Sequence, residues 1–146
     1  MATNKAGGEW FSVSLKGFEE TRKLLELLPD KIQRNVMKQA MAAGARKILQ
    51  EARRRVPVRT GELKKSLEVK FVKAASQGTF GRIVYKVQAK RPQGSHANLV
   101  ELGTTRAQPH PFLRPAFDVA KDQALAAIME KLSKGILKEA TKGKRK

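Results

Sequence analysis

Two prolines, Pro29 and Pro57, bracket the longest stretch of the chain that can run as one uninterrupted helix, and that stretch limits the fold more than any other feature. Proline lacks a backbone N–H and fixes φ, so a helix stops at or before each of them. Between them Ile32, Val36, Ala40, Gly44, Ile48 and Ala52 recur at steps of four, and a second row, Met37, Met41, Ala45 and Leu49, widens the stripe. The spacing predicts a helix over about residues 31–55 with Asp30 as its N-cap. Such a helix is ~38 Å long, about the width of a domain of this size. Its middle, residues 40–45, is almost entirely small, which lets another backbone come close. The other side is basic: Lys31, Arg34, Lys38, Arg46, Lys47 and the run Arg53-Arg54-Arg55, whose charge suits the negative end of the helix dipole.

The remaining segments supply what covers that stripe. Residues 10–15 alternate, with Phe11, Val13 and Leu15 on one face, and read as a strand. Residues 18–28 carry apolar positions at helical spacing up to Pro29. Residues 63–72 alternate with Leu63, Leu67, Val69 and Phe71 inward, and residues 80–89 with Ile83, Tyr85, Val87 and Ala89 inward. These two predict an antiparallel hairpin with a long tip at 73–79. A loop over 90–98 leads to a short helical turn at 96–102, closed by Gly103. Pro115 is placed as the first residue of a final helix, with Asp118 and Asp122 near its positive end and Phe117, Ala120, Ala124, Ile128, Leu132 and Ile136 as its stripe. The expected class is α+β: a small antiparallel sheet with a long hairpin, packed against a long helix and a C-terminal helix. Residues 1–9 read as a flexible arm, 10–139 as a single domain and 140–146 as a flexible basic tail.

Composition bears on function by exclusion. Leu, Ile, Val and Phe make up 35 of 146 residues, enough for a modest core, and there is no cysteine for disulfides or thiolate chemistry. No apolar run is long enough to span a bilayer, so a soluble chain made in a cytoplasm is expected. The two histidines, His96 and His110, have no carboxylates at ligand spacing, and the acids form no close pair for general acid–base work. No catalytic residue, metal site or cofactor is expected. The net charge is +18, unevenly spread: residues 31–91 hold 17 basic and 3 acidic side chains, while residues 1–30 hold 4 and 5. Such a field attracts nucleic acid or an acidic protein surface. The aromatic residues Phe71, Phe80 and Tyr85 fall at inward positions, so non-specific contact with DNA stays open and base reading does not follow.

Two segments are more particular. In VPVRTGELKKSL (56–67) a helix stop, an Arg-Thr-Gly corner and the start of a strand follow one another, which holds Arg59 on a turn between rigid elements. In NLVELGTTRAQPHPFLRPAF (98–117), Phe112 and Leu113 are placed to plug the core, and Arg114 to pair with Glu101 or a neighbouring subunit. The first segment supplies Pro57, Arg59, Thr60, Gly61, Leu63, Ser66 and Leu67; the second supplies Val100, Glu101, Gly103 and Thr104, then Pro109, Pro111, Phe112, Leu113, Arg114, Pro115 and Ala116. In this order and spacing, over about residues 18–137, the chain resembles the tail-completion (neck, head–tail joining) proteins of long-tailed bacteriophages, also described as minor tail components. The resemblance implies a virion protein of the neck or tail whose copies form a ring compatible with six-fold symmetry. That ring would lie between the head connector or stopper and the tail terminator or tail tube, with DNA passing through. It implies neither cofactor nor membrane. Lys64, Lys70, Arg82 and Lys86 are the expected basic interaction face of the hairpin, meeting an acidic partner or lining the DNA passage. A tail terminator and a non-specific basic DNA-binding protein are the alternative readings.

Overall fold

The computed structural model of the chain describes residues 19–73 and 83–143. The expected strand at 10–15, the hairpin tip at 74–79, and Arg82 lie outside the described residues. Seven elements follow in order: α1 (Glu19–Glu26), α2 (Asp30–Arg55), α3 (Glu62–Ser66), β1 (Leu67–Phe71), β2 (Tyr85–Ala89), α4 (Ala97–Leu102) and α5 (Leu113–Gly143). The class is α+β, with one two-stranded antiparallel sheet against long helices.

The two long helices form the frame. They run antiparallel, because Val36 meets Gly135, Gly44 meets Ile128, and Ala52 shares a cluster with Ala116. Their contact is as close as the small residues foretell: a Cβ on Gly44 would lie 2.6 Å from Ile128 Cγ1, and one on Gly135 would lie 2.6 Å from Val36 Cγ1. Two apolar clusters flank this crossing. One gathers Leu25, Val36, Ala40, Leu132 and Ile136, with Leu28 and Ile32 against it. The other gathers Ala52, Val56, Leu63, Leu67, Ala97, Phe112 and Ala116. Phe112 and Leu67 are its largest fully buried side chains.

The sheet lies on α2. Leu67 pairs with Ala89, Val69 with Val87 and Phe71 with Tyr85, all on one face. The Phe71 and Tyr85 rings are 5.3 Å apart at 53°, and Lys38 of α2 sets its Nζ 5.0 Å from the Phe71 centroid, a cation–π contact. The ladder continues one step past β1, where Val72 donates to the Val84 carbonyl at 2.9 Å.

Four expectations need correction. Residues 63–66 are not strand: they belong to α3, and the strand begins at Leu67. Leu63 and Leu67 are four apart, so both face the core from a single helical turn as well as they would from a strand. Asp30 is the first residue of α2 rather than its cap; Pro29 occupies the cap position, and its carbonyl accepts from Ile32 and Gln33 at 2.9 Å each. Pro115 is the third residue of α5, not the first, and Ala116 rather than Phe117 is the buried member of the stripe. Finally, α5 carries on past residue 139 to Gly143.

Candidate interaction surface

The corner after α2 is built from its backbone. Val56 is buried, Pro57 prevents the helix from continuing, and the chain turns through Arg59 and Thr60 to Gly61, whose φ of 80° and ψ of −5° place it in the left-handed region. Thr60 Oγ1 accepts from the Glu62 N–H at 3.4 Å, and the Gly61 carbonyl accepts from Lys65 at 3.0 Å, closing the first turn of α3. Leu63 is buried there, and the Ser66 hydroxyl donates to the Leu63 carbonyl at 2.8 Å. The Ser66 carbonyl in turn accepts from Lys90, just past β2, at 2.8 Å. From α2, Arg53 reaches across and donates through Nη2 to the Leu67 carbonyl at 2.7 Å. Arg59 is left exposed on the outside of this corner.

The second motif closes the same end of the molecule. Helix α4 ends at Gly103, where φ is 75° and ψ is −178°. Thr104 then makes a tight turn: its Oγ1 accepts from Arg106 at 3.3 Å and Ala107 at 3.0 Å, and its N–H donates to the Ala107 carbonyl at 2.9 Å. The chain folds back on α4, with His110 donating to the Val100 carbonyl at 2.8 Å. Pro111 is exposed; the next residue, Phe112, drops into the core, and Leu113 packs beside it.

Glu101 joins these parts. Its Oε2 accepts from the backbone N–H groups of Phe112 at 2.7 Å and Leu113 at 3.0 Å, and its Oε1 from that of Arg114 at 3.1 Å. A helix start leaves several N–H groups unpaired and carries partial positive charge, and a carboxylate satisfies both needs. Pro115 has no N–H to satisfy, and Ala116 donates to the Phe112 carbonyl at 3.2 Å, so every donor of the first turn is placed. The contact between Arg114 and Glu101 described here is a backbone one, the Arg114 N–H to Oε1. Sequence reasoning missed this capping role, and that of Arg53, because each bond joins elements far apart in the chain.

The basic residues are only partly brought together. Lys70 and Lys86 are register partners, exposed on the outer face of the sheet beside Glu68 and Gln88, whose amide donates to the Glu68 carboxylate at 3.1 Å. Lys64 projects from α3 instead of the sheet, which divides the expected set. Like charges directly opposite each other weaken a strand pair, so the Lys70–Lys86 position is not one that stability alone favours. Among the described residues no group of three or more His, Asp or Glu side chains is arranged to hold a metal ion, and no helix is long and apolar enough to cross a membrane.

The described residues thus offer rigid corners, exposed cations and a modest core. Residues 19–103, more than half of the chain, match the family described as "Bacteriophage HK97-gp10, putative tail-component". The chain belongs to this HK97-gp10-like family of phage tail components. No curated protein and no solved structure matches it.

Proposed function

We propose that the chain is a non-enzymatic structural subunit of the phage neck, forming a ring that joins the head connector to the tail and leaves a passage for DNA. Membership of the tail-component family carries this reading. The corner in which Glu101 locks α4 onto α5 supports it, because a joining ring needs surfaces that keep their shape under load. Copies in a ring meet head to tail through two different patches, and the rotation between them closes the ring. The Arg59 corner and the paired Lys70 and Lys86 face are the patches we assign to contacts with neighbours, with acidic protein rather than DNA opposite the lysines. A strongly cationic lumen would retard the DNA it has to pass.

The test is genetic. A nonsense codon in the gene should give filled heads and finished tails that accumulate unjoined, visible by electron microscopy of the lysate. Lys70→Glu with Lys86→Glu should reproduce that phenotype with a folded protein. Normal infectious yield from the double reversal removes the sheet face from the account. Tails of uncontrolled length would mark a terminator instead.

A further inference from the structure

Between α2 and α5 runs an open groove of about 540 Å³ that reaches the corner only at Arg53. Arg46, Lys47 and Arg53 line it from α2, and Glu130 and Lys131 from α5, with Leu49 among the apolar residues of its wall. The one carboxylate there is already engaged: Glu130 pairs with Lys134 at 2.5 Å, and that hydrogen bond and charge, with Lys131 and Lys47 nearby, hold its pKa below the usual glutamate range. Arg46, Lys47, Arg53 and Lys131 are exposed and make no ion pair among the described residues. Arg53 gives one N–H to the Leu67 carbonyl, which fixes its guanidinium at the groove.

We infer that this groove receives an acidic, leucine-bearing segment of another tail protein, whose carboxylates meet the four cations while an apolar side chain rests against Leu49. The inference names a partner chemistry for the tail component proposed above and rests on that reading. Three observations select this occupant. The volume holds a handful of side chains, so a peptide can enter, whereas a DNA duplex would ride over the rims. The lining has no aromatic ring on which single-stranded bases could stack. A second copy of the chain carries the same +18, so it approaches the groove against a like charge.

The test uses the full chain and a fluorescein-labelled peptide of glutamates interspersed with leucines, followed by anisotropy. The same peptide with glutamine for glutamate, and a labelled random duplex, serve as controls. Two variants remove equal charge: Arg46→Ala with Lys131→Ala in the groove, and Lys121→Ala with Lys138→Ala on exposed positions of α5 outside it. All four sites lie on helix surfaces where alanine is well tolerated, and thermal unfolding of each sample checks folding. The glutamate peptide should bind the parent chain and weaken roughly 3- to 30-fold in the groove variant, less than twofold in the other. The glutamine peptide should not bind, and duplex affinity should fall equally in both variants. Absent binding, or equal loss in the two variants, overturns the inference; duplex affinity lost only in the groove variant reassigns it to nucleic acid. Ring formation, read separately by mass photometry, reports on the proposed function whichever way the peptide result falls.

Discussion

The carboxylate of Glu101 and the backbone of Gly103 stand two residues apart and hold the same junction by different means. Glu101→Ala leaves three N–H groups at the start of α5 without their acceptor, and hydrogen bonds to a charged group are the strong kind. The expected loss is about 2–3 kcal/mol in urea unfolding, with Glu101→Gln losing roughly half of that because one carbonyl oxygen survives. A loss below ~0.5 kcal/mol would mean that water caps α5 equally well. Gly103 tests backbone strain. Its φ of 75° and ψ of −178° suit glycine alone, and an added Cβ would lie 2.8 Å from the Pro109 nitrogen. Gly103→Ala should therefore cost about 2–3 kcal/mol. Gly61→Ala should cost only ~1 kcal/mol, since φ is 80° there but nothing lies within 4 Å of the new methyl. Equal costs at the two sites would contradict the steric account.

Among the elements, the crossing of α2 and α5 makes a prediction whose sign is informative. In an exposed helix, alanine for glycine stabilises by up to ~1 kcal/mol. At Gly44 the new methyl would collide with Ile128 and approach the Ala124 carbonyl at 3.1 Å, so overpacking wins and Gly44→Ala should destabilise by a net ~1–2 kcal/mol. A more stable variant would show that the helices are not in contact there. Further along α5, the depressed pKa of Glu130 fixes a pH dependence. Its ionised form is favoured in the folded chain, so its contribution is complete above the ordinary glutamate pKa and fades as pH falls through the lower folded value. Lys134→Ala should bring the Glu130 carboxyl back up toward its ordinary pKa, as followed by carboxyl NMR titration. The long helices were legible in the sequence because prolines and steps of four mark α2, and a six-position stripe marks α5. Helix α3 was not, since five residues are too few to show a period and Leu63 with Leu67 satisfies either reading. The start of α5 was missed because its cap comes from Glu101, outside the local sequence that Pro115 punctuates.

For the whole molecule, charge and architecture answer different questions. The +18 net charge attracts acidic surfaces and nucleic acid alike, and it was legible from composition. Which cations act together was not, because Lys70 and Lys86 meet only through strand register, while Lys131 comes beside Arg46 only through the antiparallel packing of α2 on α5. Lys64, grouped with the sheet by alternation, belongs instead to the short helix α3 that precedes it. The central claim, that the chain is a fixed structural part of the phage neck, is tested most directly by quantitative mass spectrometry of purified virions, counted against the head connector. A neck subunit is expected in a constant, small number of copies per particle, compatible with six-fold symmetry. Virions that lack the chain, or hold it in amounts that vary from one preparation to the next, would contradict it.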